Sequence, residues 1–190
     1  GPDGTSHREH WRIDSPGYRD WLAWLAHNEL GAAPAAEAVK SCQNVLVGKA
    51  RFDGDEHAPA RRVAKDEAGY WIDLCDDKWR AILVTPNGWR VVSSPAVRFV
   101  RTKSMRPLPI PVPNGSLAAL WHLCNIPKEY RPLVLGWIVE CYRPDTPYPV
   151  LELIGEQGSA KSTTQEILRC FIDPNRVMLR GRPKSVEDIY

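Results

Sequence analysis

The spacing of apolar residues changes twice along this chain of 190 residues. Between residues 16 and 50, apolar residues recur at every third or fourth position, which is typical of amphipathic helices. From residue 61 they alternate with polar residues, as in strands that bury one face. After residue 116 the helical spacing returns. The pattern therefore predicts helices, then a small sheet, then helices again.

The first helical stretch has clear boundary signals. Ser15 is a favourable N-cap, Pro16 suits the first turn, and Gly31 suits the position after the last turn. A second helix is expected to begin near Pro34. Its apolar face would consist of Ala35, Ala38, Val39, Cys42 and Leu46. Two consecutive helices joined by a short turn predict an antiparallel helical hairpin.

The alternating stretch predicts a small antiparallel β-meander of four or five short strands. Asn87-Gly88 is a strong signal for a hairpin turn between two of them. The predicted strands are residues 61–65, 70–75, 80–85, 89–92 and 97–101.

Basic residues gather in the last part of the meander, and tryptophans lie nearby in the sequence. The basic residues are Arg90, Arg98, Arg101, Lys103 and Arg106. The tryptophans are Trp71, Trp79 and Trp89. Cations interleaved with aromatic rings suit single-stranded nucleic acid, through phosphate contacts and base stacking. The alternative is a solvated outer face of the sheet, with the tryptophans packed on the helical hairpin.

Proline alternates with apolar residues between residues 107 and 113, which excludes a helix or a central strand there. An extended, semi-rigid linker at residues 106–115 is expected, with its apolar side chains laid on a neighbouring domain. It would join an α+β module, residues 15–105, to a second domain, residues 116–190. Residues 1–14 are expected to be a disordered or tag-derived tail.

The second domain is predicted to begin with two helices, residues 117–124 and 131–142, the later one buried on most sides. An apolar strand is expected at residues 150–154. The helix that starts near residue 161 would be followed by a strand at 176–180 and by a capping box at 185–188. The fold class is thus an α+β module followed by the start of an α/β P-loop NTPase domain.

A phosphate-binding motif is the strongest chemical signal in the chain. Its residues are Gly155, Glu156, Gln157, Gly158, Ser159, Ala160, Lys161, Ser162 and Thr163. A glycine-containing loop between a strand and a helix can point backbone N–H groups at an anion, and the helix dipole adds positive potential. Lys161 would reach the β- and γ-phosphates of ATP, and the Ser162 hydroxyl would ligate Mg²⁺.

The motif departs from the usual G-x-x-x-x-G-K-[ST] pattern at one position, because Ala160 stands where a glycine is expected. If this position requires a positive φ, alanine costs about 1 kcal/mol or slightly more. If it does not, the substitution has no cost.

The composition places few restrictions on the class of protein. A net charge of +2 and a hydrophobic content of 43% are ordinary for a globular protein. No apolar run is long enough for a membrane span, and the first residues contain no apolar stretch, so we expect neither a transmembrane helix nor a signal peptide. The five cysteines are widely spaced and form no C-x-x-C pair, which indicates reduced thiols and a cytoplasmic protein.

Three pieces of the sequence together resemble one family. They are residues 88–99, residues 143–151, and the motif at 155–163 with Asp173-Pro174-Asn175. They are similar to the ATPase part of primase-helicases of phages and mobile elements, of the superfamily 3 or AAA+ type. The resemblance implies an ATP- and Mg²⁺-dependent motor that assembles as a homo-oligomeric ring on single-stranded or forked DNA. It assigns nucleotide binding to Lys161 and Mg²⁺ binding to Ser162.

Such motors also need a Walker B carboxylate and an arginine finger, and no segment after Thr163 is long enough to supply them. We therefore expect a fragment of a larger ATPase whose strand at 150–154 has open edges, and which alone hydrolyses ATP poorly or not at all. The alternative is a non-catalytic nucleic-acid-binding or assembly module with a vestigial P-loop. A small P-loop kinase is a third, weaker interpretation.

Overall fold

The computed structural model describes residues 9–179. The predicted capping box at 185–188 and the end of the predicted strand at 176–180 lie outside the described residues. The described part of that strand, residues 176–179, has no strand conformation. No helix in the described range is long and apolar enough to cross a membrane.

Two helices form the N-terminal hairpin: α1, Pro16–Leu30, and α2, Ala36–Phe52. The Ser15 hydroxyl accepts a hydrogen bond from the Tyr18 N–H at 3.2 Å, so the predicted N-cap is formed. Gly31 ends α1 with φ 70°, and its N–H donates to the His27 carbonyl. Of the side chains in the two helices, only that of Val39 is buried. Several large apolar side chains of the hairpin are exposed, among them Trp24, Leu30 and Phe52.

The segment before α1 packs on the hairpin, in contrast to the expected tail. The Gln43 amide of α2 donates a hydrogen bond to the Ile13 carbonyl at 2.7 Å. The Trp11 ring lies so close to Gly17 that a Cβ at this position would lie 1.7 Å from it. Residues 9–14 thus belong to the folded module.

Four strands form one antiparallel sheet in the order β1-β2-β3-β4. They are β1, Val63–Asp66; β2, Gly69–Asp73; β3, Ala81–Thr85; and β4, Gly88–Val92. The Asn87-Gly88 turn joins β3 and β4 as predicted, with φ 122° at Gly88. The predicted fifth strand is wrong: residues 97–101 contribute a single bridge, between Phe99 and Ala60.

Both faces of the sheet are covered. On one face, Trp71 packs with Leu83 and Phe99. On the other, Leu74 and Ile82 pack with Leu108 of the proline-rich segment, whose N–H donates to the Leu74 carbonyl at 2.9 Å. Trp71 is therefore buried against residues of the sheet and the segment after it. The linker, as expected, lays an apolar residue on its neighbour.

The C-terminal part contains α3, Ala118–Leu123; a 3-10 turn, Lys128–Tyr130; α4, Arg131–Cys141; and α5, Lys161–Ile172. Its core consists of Leu120, Cys124, Ile126, Val134, Ile138 and Leu168. The prediction that α4 is buried on most sides is wrong, because Leu133 is 67% and Val139 is 61% exposed. Helix α4 packs on this core through one stripe only.

Residues 150–154, predicted as a strand, have no strand conformation and no partner strand in the described part of the chain. The apolar side chains of Val150 and Ile154 are 94% and 86% exposed. Leu151 packs against the C-terminal core, so the segment is anchored through one side chain while its backbone remains unpaired. The α/β part of the fold class stays a prediction.

Candidate phosphate-binding loop

Residues 155–160, here called the glycine loop, connect this unpaired segment to α5. Gly158 has φ 83°, a conformation that favours glycine. Ala160 has φ 60° and ψ 25° and stands directly before the first residue of α5. Two left-handed residues so close together fold the chain sharply into the helix.

The conformation of Ala160 shows whether the alanine in place of the usual glycine has an energetic cost. The residue lies in the left-handed region, where a Cβ costs about 1–2 kcal/mol. A glycine at this position would avoid that cost. The alanine is therefore a strained residue at the start of α5.

Several backbone donors at this helix start are free. The N–H groups of Ala160, Lys161 and Ser162 donate no hydrogen bond to any group within residues 9–179. The first intrahelical bond runs from the Thr164 N–H to the Ala160 carbonyl, at 2.9 Å. Free N–H groups at the positive end of a helix dipole are suited to bind an anion.

The Lys161 side chain folds back across the glycine loop. Its Nζ donates to the carbonyls of Gly155 at 2.8 Å and Glu156 at 2.6 Å, and lies 3.1 Å from the Ser159 Oγ. The ammonium group is thus next to the loop, as a phosphate-binding lysine must be. A bound phosphate would compete with these two carbonyls and the Ser159 hydroxyl for the three N–H donors of the ammonium group.

Ser162 and Thr163 are exposed in the first turn of α5, so the Ser162 hydroxyl is accessible from solvent. Glu156 and Gln157 are also exposed. In the part of the chain that the structure describes, no group of three His, Cys, Asp or Glu side chains could hold a metal ion. The donor set is chemically compatible with a phosphate, and the role of the Ser162 hydroxyl as a Mg²⁺ ligand stays a prediction.

Open clefts flank the segment that leads into the glycine loop. One, of about 540 Å³, is lined by Gly155, Ser159 and Thr164 together with apolar side chains after α3. The other, of about 620 Å³, runs along α5 past Ser162. Lys161 lines both clefts. A ligand at the helix start would therefore be accessible from solvent.

Asn125 contacts the glycine loop and the first turn of α5, which the sequence pattern did not predict. Its amide donates to the Ser159 carbonyl at 3.1 Å, and its backbone N–H donates to the Thr164 hydroxyl at 3.3 Å. Asn125 lies 34 residues before Ser159, and its only sequence signal is a polar residue between the buried Cys124 and Ile126. That signal is too weak to predict the contact.

The predicted nucleic-acid residues separate into two groups. The side chains of Arg90, Arg98, Lys103 and Arg106 are exposed. Arg101 instead forms a two-pronged ion pair with Asp73, at 2.6 and 2.9 Å, and stacks on Trp79 at 4.0 Å. Because Asp73 is only 1% exposed, the Arg101 guanidinium neutralises a buried carboxylate. The structure gives Arg101 an internal role rather than a place on a phosphate-binding surface.

Arg62 connects the sheet to the C-terminal end of α5. The sequence pattern did not predict this role of Arg62. It is 7% exposed, and its guanidinium donates to the Asp73 carbonyl at 3.1 Å and to the Asp173 carboxylate at 3.0 Å. A third bond reaches the Arg106 carbonyl at 3.0 Å. One side chain thus joins the sheet, the linker and the helix that begins at the glycine loop.

Tyr142 holds the same end of α5. Its hydroxyl donates to the Phe171 carbonyl at 2.7 Å. Burial disfavours the charged phenolate and raises the pKa of Tyr142 to about 12. The neutral phenol is therefore part of the packing between α4 and α5.

Comparison with protein families gives a match in the C-terminal part of the chain. Residues 117–190 match the model of a family described as actinomycete integrative conjugative element replication protein. The match covers less than half of the chain and includes α3, α4, the glycine loop and α5. Searches of curated proteins and of solved structures gave no significant match. The match relates the C-terminal part of the chain to replication proteins of mobile elements, and the finer resemblance to primase-helicase ATPases stays a prediction.

Proposed function

We propose that this chain is the nucleotide-binding part of an ATP-dependent replication protein of a mobile element. The observation that carries the proposal is the start of α5, where free N–H groups and the Lys161 ammonium lie together beside a left-handed turn. This arrangement lies inside the region that resembles a replication protein family. Phosphate is the ligand that such a donor set suits best.

Each part of the loop has a chemical role in this proposal. The N–H groups of Ala160 and Lys161 hold phosphate oxygens, and the Lys161 ammonium moves from the loop carbonyls to the phosphate charge. Ser162 would ligate Mg²⁺, which neutralises phosphate charge when it is bound. The glycine at 158 lets the backbone approach the phosphates closely.

DNA is the partner in this proposal, because the matched family is described as one of replication proteins. The exposed basic side chains of Arg90, Arg98, Lys103 and Arg106 are available for phosphate contacts. Ring assembly on single-stranded or forked DNA belongs to the same proposal and rests on the resemblance to primase-helicases.

Equilibrium binding of a fluorescent ATP analogue tests the proposal, with and without Mg²⁺. The wild type should bind, and Lys161→Ala should lose most of the affinity, because the substitution removes the one cationic side chain within residues 9–179 that is hydrogen-bonded to the glycine loop. Lys49→Ala is the matched control: Lys49 is exposed on α2, and its variant should bind like the wild type. Equal binding by the wild type and Lys161→Ala would contradict the proposal.

A non-catalytic assembly module with a vestigial loop is the second candidate. The observation in its favour is the strained Ala160 at the helix start. It predicts that the wild type binds no nucleotide, with or without Mg²⁺. DNA binding that persists in the absence of nucleotide binding would then support it.

A further inference from the structure

Asn125 joins the end of α3 to the glycine loop through side chain and backbone at once. The amide bonds the Ser159 carbonyl, and the backbone N–H bonds the hydroxyl of Thr164, a side chain that is only 2% exposed. Cys124 and Ile126, the residues on either side, are buried at 2% and 7% exposure. The backbone of Asn125 is therefore fixed by the core, while its amide remains exposed and free to bond the loop.

The carbonyl that Asn125 holds belongs to the peptide between Ser159 and Ala160. The described residues contain no cis peptide bond, so the C=O and N–H groups of this peptide point in opposite directions. Holding the Ser159 carbonyl toward Asn125 therefore turns the Ala160 N–H away from Asn125. That N–H is one of the free donors at the start of α5.

The hydrogen bond between Asn125 and Ser159 also opposes relaxation of the strained backbone at Ala160. An alanine with φ 60° would relax toward a negative φ unless its neighbours hold it. Rotation about the bonds of Ala160 turns the peptide that precedes it and would break the bond between Asn125 and Ser159. The bond from the Asn125 N–H to Thr164 fixes the other side of the strained residue, one turn into α5.

We propose that Asn125 is a positioning residue for the phosphate site: it holds Ala160 in the left-handed conformation and directs the Ala160 N–H toward a bound phosphate. The inference rests on the proposed function, since it assigns the amide a role in nucleotide binding. Asn125 acts through the Ser159–Ala160 peptide and does not itself contact the nucleotide. Glycine at residue 160 would adopt the same conformation without help, so the need for Asn125 should disappear with it.

The test combines two variants of Asn125 with Ala160→Gly. Asn125→Ala removes the donor, and Asn125→Asp replaces it with a carboxylate oxygen that repels the Ser159 carbonyl. Each should weaken Mg²⁺-dependent binding of the fluorescent ATP analogue about fivefold to tenfold, with an unchanged melting temperature because the side chain is exposed. In the Ala160→Gly background the same substitutions should weaken binding less than twofold. Asn44→Ala, at an exposed position of α2, is the control.

Hydrogen exchange of the loop amides without nucleotide gives a readout that does not depend on binding. We expect the amides of Ser159 and Thr164, which donate to the carbonyls of Glu156 and Ala160, to exchange faster in Asn125→Ala than in the wild type, and this difference to shrink with Ala160→Gly. If the wild type binds no nucleotide, the proposed function fails, whereas faster exchange would still support the positioning role. Unchanged exchange in Asn125→Ala, or an equal loss of affinity in both backgrounds, would overturn the inference.

Discussion

The β-sheet and the segment that enters the glycine loop are both rich in apolar residues. They differ in whether their backbone N–H and C=O groups form hydrogen bonds with a neighbouring strand. Every strand of the sheet is paired with its neighbour along the chain, and both faces are covered. Residues 150–154 have no partner strand in the described range, and Val150 and Ile154 are exposed. The sheet is thus a self-contained unit, whereas the loop depends on a few side chains that reach it from elsewhere.

This difference has an energetic consequence. Substitutions in the sheet and its ion pairs should change the free energy of unfolding strongly, because they disturb buried groups. Substitutions in the glycine loop should change it little and should act on ligand binding instead.

Asp73→Ala should have the largest effect. It leaves the half-buried Arg101 without its carboxylate and should lower the free energy of unfolding by about 3–5 kcal/mol. Urea unfolding followed by tryptophan fluorescence measures it, since Trp71 is buried in the sheet. Asp77→Ala, at an exposed position of the same turn, is the control. A loss below about 1 kcal/mol for Asp73→Ala would show that the ion pair is not what holds this turn.

Leu168→Ala should come next. Leu168 is 1% exposed and fills the core between α4 and α5, so its truncation should cost about 2–4 kcal/mol. Leu123→Ala, at a position 64% exposed, should cost less than about 0.5 kcal/mol. Thermal unfolding by circular dichroism compares the two. Equal losses would mean that the C-terminal core is not packed as described.

Tyr142 should give the protein a pH dependence at alkaline pH. Its pKa is raised from 10.0 to about 12 in the folded state, so folding favours the protonated phenol. The resulting stabilisation is complete below pH 10 and is lost as the pH rises from about 10 to 12. Relative to Tyr142→Phe, the wild type should lose up to about 2 kcal/mol across this window. Parallel stability curves for the two proteins would contradict the shift.

Ala160→Gly should have the smallest effect on stability, and it is expected to be favourable. Removing the Cβ from a residue at φ 60° should stabilise the protein by up to about 1 kcal/mol, after the entropy of the added glycine is subtracted. The change should also tighten nucleotide binding. Chemical denaturation and the binding titration measure the two effects. Gly48→Ala, in the middle of α2, is a control for the opposite exchange in a helix.

Local features were the most predictable from the sequence. The Ser15 cap, the Gly31 stop and the Asn87-Gly88 turn depend on residues that are close in the chain, and all three lie where they were expected. The strands from residue 63 to residue 92 follow from the same alternation. The motif at 155–163 was also visible, although its nucleotide-binding role stays a proposal.

Long-range contacts were not predictable. Arg101 looked like one of five similar basic residues until the fold placed it 2.6 Å from a buried carboxylate. Arg62 reaches Asp173 across 111 residues, and no periodicity signals such a pair. The burial of α4 was overestimated, because the apolar residues of a helix do not determine how many neighbouring elements will pack on it.

Caps, periodicity and loop chemistry act over a few residues, so the sequence predicts where the helices and turns begin and where the glycine loop lies. The tertiary structure alone decided the conformation of Ala160, the partner of its neighbouring carbonyl, and the unpaired state of residues 150–154. The physical reason is that hydrogen bonds and ion pairs between distant segments exist only after the chain has packed. Within residues 9–179, the peptide that precedes the strained Ala160 is held by a contact of this kind, the hydrogen bond from the Asn125 amide to the Ser159 carbonyl.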